Sequence, residues 1–395
     1  MTVRLITYTT LYPNLAQPNH GVFVENRLRH LVATGAAESH VVAPVPWFPF
    51  ASPAFGEYAK FAAAPRRESR HGFDIDHPRY IVLPKIGQNV TPWFLYRASI
   101  PAIEKQLSSG YDAQVIDAHF FYPDGVAAAL LARRFGLPFV VTARGSDLNL
   151  MLDYALPRRM IRWVTGQAAA MITVCQALKD ELVDIGVAPE RVTVLRNGVD
   201  LEGFRPVDGS EVRARHAGGG RLLLSVGLLI ERKGHHLIVE ALQQLPDCRL
   251  LIAGEGPERG RLEALAERLG VADRVTLLGR VPHSELAAYY AAADALVLAS
   301  SREGWANVLL EAMACGTPVV ASDVWGTPEV VAAPEAGRLM PTLDADGVVA
   351  AAQALFADMP DPAATRAYAE GFSWDDTSAG QRDLFERVVA DWRTP

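Results

Sequence analysis

Short apolar, β-branched runs alternate along this chain with stretches whose apolar residues recur at helical spacing. Residues 3–8, 40–45, 113–117, 139–142, 170–174 and 192–195 read as buried strands, with helical patterns such as 23–32 and 125–135 between them. Alternation of this kind predicts a parallel sheet covered on both faces. The pattern then restarts, with strands at 222–226, 249–253, 275–278, 295–298 and 319–321 and helices at 235–244, 259–270 and 307–315. Between the two sets lies 200–220, which holds Pro206, Gly209 and the run Gly218-Gly219-Gly220. This reads as a linker near 200–210 followed by a surface loop, dividing the chain into domains 1–204 and 205–375. Residues 51–86 are irregular and rich in Arg and Pro, which predicts a loop and hairpin excursion of the first domain. Two doubly wound units bind at the carboxyl ends of their strands, so a ligand cleft is expected between them.

Composition agrees with two soluble domains. A chain of 395 residues exceeds what one core usually serves, and its 50% apolar and 21% charged residues are those of a globular protein. No apolar run approaches the roughly 20 residues that span a bilayer, and the first residues read as a strand rather than a leader. Cys175, Cys248 and Cys315 are too few and too scattered for a disulfide framework or a Cys-based zinc site, and suit a reducing cytoplasm. Charge is uneven: residues 1–205 hold 21 Lys+Arg and 18 Asp+Glu, leaving 17 and 27 for the remainder. The two halves therefore differ in sign, +3 against −10. No basic run is dense enough to argue for nucleic acid.

The most informative stretch runs from Ser300 to Val320. Glu303 and Glu311 stand eight positions apart, one before a glycine turn and one inside an amphipathic helix. Gly304, Trp305, Ala306, Asn307 and Val308 would open that helix and present free backbone N–H groups, an anion site. A carboxylate one turn further in can accept both hydroxyls of a ribose. Taken alone, the pair reads equally as a solvated glutamate and a capping glutamate. In company with Ser225-Val-Gly-Leu-Leu-Ile-Glu-Arg-Lys-Gly234, Ala253-Gly-Glu-Gly-Pro257 and Leu278-Gly-Arg-Val-Pro282, it resembles the Glu-x7-Glu region of the family-4 retaining glycosyltransferases. All four motifs occur in that family's order over most of 195–331.

The resemblance implies an α/β protein of the GT-B kind, two Rossmann-like doubly wound domains facing each other across a cleft, with a C-terminal helix near 376–395 packing back on the first. It implies transfer of a sugar from a UDP- or GDP-linked donor, with retention and without a metal or other cofactor. Glu311 then corresponds to the ribose ligand and Glu303 to the residue on the transferred sugar, with the amides of Gly304, Trp305, Ala306, Asn307 and Val308 close to sugar and phosphate. Lys233 and Arg232 match the basic pair that neutralises the diphosphate, where charge accumulates as the glycosidic bond breaks. The backbone of Val281 and Pro282 corresponds to the base site. One departure stands out: where the family usually has Arg after Val-Gly, this chain has Leu228, so a guanidinium clamp is missing. Arg232, Arg196 and Arg144 are the candidates to supply that charge.

In the first domain, residues 12–23 follow the first strand and precede a helix, with Gly21 at the helix start, the place of the family's glycine loop. His119, in Val115-Ile-Asp-Ala-His-Phe-Phe-Tyr-Pro-Asp-Gly125, sits at a strand end and matches a functionally important family histidine near the reacting centre. Arg144, in Thr142-Ala-Arg-Gly-Ser-Asp147, stands where the family often has His. Asp74-Ile-Asp76, followed by His77, imitates the Asp-x-Asp metal motif of the other large glycosyltransferase fold but lies in the irregular excursion, and no metal site is expected. The basic and aromatic stretches 66–71, 93–97 and 158–163 could touch a membrane or lipid-linked acceptor, but ordinary solvated faces are the preferred reading. The family's usual setting is assembly of surface polysaccharide or other glycoconjugates at the cytoplasmic face, on a glycan or lipid-linked acceptor. Rival readings are a sugar-nucleotide epimerase on the same fold and a non-catalytic donor-binding protein.

Overall fold

The computed structural model describes residues 2–83 and 87–393. Met1, residues 84–86 at the end of the expected excursion, and residues 394–395 at the end of the expected C-terminal helix lie outside them. The chain forms two compact units, residues 1–196 with 375–395 and residues 197–374.

The first unit carries β1 (Val3–Tyr8), β2 (Ala37–Val42), β3 (Val45–Pro46), β4 (Arg67–Arg70), β5 (Phe73–Asp76), β6 (Arg79–Tyr80), β7 (Val115–His119), β8 (Phe139–Ala143), β9 (Ala170–Thr173) and β10 (Val192–Val194). Eight of them make one sheet in the order β10-β9-β8-β7-β1-β2-β5-β4, parallel except for β4, while β3 and β6 form a separate ribbon. Every residue of β7 and β8 is buried, as the centre of a sheet covered on both faces requires. The helix Val22–Ala33 covers it with Val24, Leu28 and Leu31, which share one face at helical spacing.

The segment 51–86 is not an excursion. Its hairpin β4–β5 is antiparallel, but β5 pairs in parallel with β2, so the segment extends the main sheet. Asp76 at the end of β5 is buried and receives His40 Nε2 at 2.9 Å, Arg67 Nε at 2.6 Å and Gln106 Nε2 at 3.1 Å. These bonds fasten the sheet edge.

The second unit carries β11 (Arg221–Val226), β12 (Cys248–Ala253), β13 (Val275–Gly279), β14 (Ala295–Leu298), β15 (Val319–Ser322) and β16 (Gly337–Met340) in the order β13-β12-β11-β14-β15-β16, all parallel. Each unit thus has a Rossmann-like doubly wound sheet whose strand order reverses once, beside its first strand. That point lies between β1 and β7 in the first unit and between β11 and β14 in the second, and in each unit the loops leaving there bound that unit's own crevice.

The division falls after Arg196 rather than after Phe204. Val199 donates its N–H to the carbonyl of Phe372 at 3.0 Å, and Arg366 donates to the carbonyls of Phe204 at 2.6 Å and Leu201 at 3.2 Å. Residues 197–204 are therefore held by the second unit. The stretch read as a surface loop contains the helix Ser210–His216, anchored by Arg213 on the Ala292 carbonyl at 2.9 Å and on Asp294 at 3.0 Å.

The helix Trp374–Arg393 belongs from Asp375 onward to the first unit. Its Leu384, Phe385, Val388 and Val389 join Val3, Leu5, Leu31, Val115 and Val140 in one buried cluster. Phe385 is fully buried, so Phe385→Ala is expected to destabilise the first unit by about 3–5 kcal/mol, read as a lower denaturation midpoint.

Candidate functional site

In the second unit, the loops that follow β11 and β14 run backbone against backbone. Gly234 has φ 68°, and a Cβ there would stand 1.9 Å from the Ala299 carbonyl oxygen, so both conformation and space demand glycine. Ser301 donates its N–H to the Arg232 carbonyl at 2.9 Å, and Arg232 Nη1 donates to the Arg302 carbonyl at 2.8 Å. Joined in this way, the loops bring Lys233 Nζ to 2.6 Å from Glu303 Oε1, both side chains largely buried. The Lys233 stem lies over Gly227, where an added Cβ would be 3.5 Å from Cδ and Cε. From Glu303 the chain continues through Gly304, Trp305 and Ala306 into the helix Asn307–Ala314. Trp305 is buried with its ring 6.0 Å from Phe372, and Asn307 Oδ1 accepts from Asn197 Nδ2 at 3.2 Å.

Arg232 braces the loop through the Arg302 carbonyl. Leu228 is exposed, and its carbonyl accepts from His235 Nε2 at 3.2 Å. Since a carbonyl only accepts, His235 carries its proton on Nε2, and the Ser225 hydroxyl donates to Nδ1 at 3.0 Å. Burial lowers the His235 pKa to about 4, so the ring is neutral. This pair, just behind the Lys233 loop, was not singled out in the sequence, although His235 directly follows the motif glycine.

Glu311 sits inside the same helix. Tyr290 donates its hydroxyl to Oε2 at 2.9 Å, and His283 Nε2 lies 3.6 Å from Oε1. The neighbouring Glu311 carboxylate holds the His283 pKa above its usual value. Phe204 packs edge-on to the His283 ring at 4.8 Å and lies 5.8 Å from that of Tyr290. Val281 and Pro282 form the turn between β13 and His283. Tyr290 and His283 were also missed, because a tyrosine on an apolar helix face carries no signal until its partner is known.

The first unit builds its own polar cluster at the β1/β7 switch. Gly21 opens the helix Val22–Ala33 with φ 71°, and a Cβ there would lie 2.3 Å from the Leu11 carbonyl. Thr10 donates its hydroxyl to Asp124 Oδ2 at 2.9 Å, tying the loop after β1 to the loop after β7. Burial pushes the Asp124 carboxyl up to about 8. His119, the last residue of β7, is buried. Arg144 Nη2 lies 2.7 Å from its Nδ1, and Asp117 Oδ2 lies 3.3 Å from its Nε2. Because Arg can only donate, Nδ1 accepts and the proton sits on Nε2 facing Asp117. Burial lowers the His119 pKa to about 4, with the Asp117 charge opposing.

Both loops are fastened by Asp147. Its Oδ2 accepts the Phe121 N–H at 2.7 Å, and its Oδ1 accepts the N–H groups of Arg144 at 3.0 Å and Gly145 at 2.8 Å. It spans the ends of β7 and β8 and holds Phe120 at φ 84°, an unfavourable conformation for a non-glycine residue. Arg144 also lies 5.5 Å from the Phe23 ring. Arg196 is exposed past the end of β10, and its carbonyl accepts from the Thr377 hydroxyl. The structure therefore unites His119 with Arg144, Lys233 and Arg232 with Glu303, and Glu311 with the turn after Val281 and Pro282. The signal for Asp117 lay in the strand itself, since residues two apart share a face and β7 is otherwise apolar.

This architecture is that of a GT-B glycosyltransferase. Two family models match, Glycosyltransferase Family 4 over residues 21–202 and Glycosyl transferases group 1 over residues 210–372. A D-inositol 3-phosphate glycosyltransferase of Mycobacteroides abscessus is 33% identical over 319 residues, covering 76% of this chain and 71% of that protein. Among solved structures, a sucrose-phosphate synthase from Thermosynechococcus elongatus superposes with a TM-score of 0.80 at 22% identity, covering 99% of this chain and 100% of that one. Anabaena Alr3699/HepE in complex with UDP-glucose gives 0.72 at 20% identity, covering 99% and 100%. The chain belongs to the family-4, group 1 glycosyltransferases, and it is an enzyme of that class.

The neutral histidines give a pH test. Between an unfolded pKa near 6.5 and a folded value of about 4, the unfolded state binds more protons, so their contribution to stability falls as pH drops through that window. The thermal midpoint of wild type is expected to fall more steeply from pH 6.5 to 4 than that of His235→Gln. Parallel curves for the two proteins would contradict the neutral His235.

Proposed function

We propose that this enzyme moves a sugar from a UDP- or GDP-linked donor to a glycan or lipid-linked acceptor, with retention of configuration and without a metal. The observation that carries this reading is the Lys233–Glu303 pair at 2.6 Å, set at the sheet's switch point beside the start of the helix Asn307–Ala314. Lys233 takes the β-phosphate of the departing nucleotide, and the backbone amides from Gly304 to Val308 add partial positive charge from the helix start. Glu303 orients hydroxyls of the transferred sugar while holding Lys233 in place. Glu311, kept in position by Tyr290, receives the ribose hydroxyls, and the backbone of Val281 and Pro282 borders the base. The UDP-glucose complex of Alr3699/HepE, which shares this fold, supports a nucleotide-sugar donor.

Retention follows without a covalent intermediate. Retaining glycosidases need a carboxylate free to attack the anomeric carbon, whereas Glu303 is engaged by a lysine. In the front-face reaction the bond from the anomeric carbon to phosphate oxygen breaks, and the acceptor oxygen bonds to that carbon. The acceptor proton passes to the leaving phosphate. In the first unit His119, held neutral between Arg144 and Asp117, acts by positioning the Arg144 guanidinium.

The test is sugar transfer from a panel of UDP- and GDP-sugars in excess EDTA. Wild type is expected to keep its rate, and Lys233→Ala to lose about 10²–10³-fold, the cost of removing one donor to a developing oxyanion. Leu228→Arg is expected to do no harm, since position 228 is exposed. Activity abolished by EDTA and restored by Mn²⁺ would overturn the metal-free mechanism, and an unimpaired Lys233→Ala would overturn the role of Lys233.

A further inference from the structure

The first unit carries an aromatic surface that its core does not absorb. Trp47, Phe50, Phe55 and Tyr58 expose between 44% and 58% of their area, and Ile81 and Val82 expose 50% and 44%. Trp47 donates its N–H to the Tyr80 carbonyl at 2.7 Å in continuation of the β3–β6 ribbon, which sets it beside Ile81. Phe50 stacks on Phe55 at 5.3 Å, and Phe48 touches Phe50, Phe55 and Tyr58 at 6.2, 5.4 and 5.3 Å. The rings of Phe48, Phe50, Phe55 and Tyr58 thus form one cluster, with Trp47 next to Phe48 in the chain, and Trp47, Phe50, Phe55 and Tyr58 face solvent. Contiguous exposed apolar area of this kind marks an interaction surface.

Charge decides what covers it. Residues 47–97 contain 7 Lys+Arg and 4 Asp+Glu, while the rest of 1–205 contains 14 of each, so the whole +3 excess of that half lies in this segment. Lys60 is exposed on the helix Glu57–Ala63, which also bears Tyr58. Arg66 is exposed where that helix leads to β4, next to Arg79 of β6. A second copy of the chain would bring like-charged rims together across a two-fold axis. An anionic bilayer meets the same rim with opposite charge, and aromatic side chains favour the boundary between headgroups and acyl chains.

We propose that this patch seats the enzyme on an anionic membrane, with Trp47, Phe50, Phe55 and Tyr58 entering the interface and Lys60 and Arg66 on the headgroups. Among the described residues no helix is long and apolar enough to cross a membrane, so the contact is peripheral. The surface overlaps the stretches that sequence singled out only at Arg66: 67–70 is β4 of the main sheet, Trp93 is exposed on its own helix, and the clustered exposed rings lie at 47–58.

The experiment is vesicle flotation with the full chain, using phosphatidylcholine alone and phosphatidylcholine with about one third phosphatidylglycerol. Brominated acyl chains serve as quenchers of Trp47. Binding is expected only to the anionic vesicles, with quenching that is lost in Trp47→Phe. Phe50→Ser/Phe55→Ser and, separately, Lys60→Glu/Arg66→Glu should each weaken binding at least about tenfold while circular dichroism and thermal midpoint stay unchanged. Absence of binding to anionic vesicles, or binding indifferent to both double variants, would overturn the proposal. A dimer in vesicle-free solution that the serine variants dissociate would overturn it in favour of a second copy.

Discussion

The chemistry of the second unit rests on one close approach, that of Gly234 to the Ala299 carbonyl. Strands β11 and β14 are neighbours at the point where the sheet reverses its order, so their loops leave side by side. Only a residue without Cβ lets them touch, because any side chain at 234 would enter the space of that carbonyl oxygen. Once they touch, the carbonyl of Arg232 can accept from Ser301, its guanidinium can reach the carbonyl of Arg302, and Lys233 meets Glu303. The ion pair follows from backbone packing.

The first unit solves a different problem with the same topology. At the β1/β7 switch it buries a histidine, two arginines and three aspartates, which costs free energy unless each group finds partners. His119 meets that demand by staying neutral between Arg144 and Asp117, and Asp147 by accepting three backbone N–H groups. Arg27 donates to the Leu195 carbonyl within the same cluster. The arrangement fixes the imidazole tautomer and holds the strained backbone at Phe120, so His119 is set in one orientation before any ligand arrives.

Most of the parallel strands were legible because buried central strands are continuous apolar runs, and β1 and β14 match their predicted bounds. β16 escaped notice because it is four residues long and opens on a glycine, and β5 was taken for part of an excursion because its pairing with β2 is long-range. The domain boundary was drawn at the proline and glycine signals near 206, whereas packing onto Phe372 and Arg366, far along the chain, assigns 197–204 to the second unit. Among the candidate site residues, Lys233, Glu303 and Glu311 were singled out through the family resemblance of the motifs that hold them. Tyr290, His283, Asp147 and the Ser225–His235 pair were not, since each acquires meaning only from a partner that folding supplies. The exposed aromatic patch was invisible for the same reason: sequence records aromatic residues, and only packing decides which remain outside.

The central claim is that the Lys233–Glu303 pair receives the donor's terminal phosphate and sugar. It is tested most directly by calorimetric titration of the full chain with matched nucleoside monophosphates and diphosphates, using wild type and Lys233→Ala. If Lys233 engages the β-phosphate, wild type should prefer the diphosphate by more than about tenfold, or roughly 1.4 kcal/mol, and the variant should lose most of that preference while still binding the monophosphate. A preference for the diphosphate that survives Lys233→Ala intact would contradict the account.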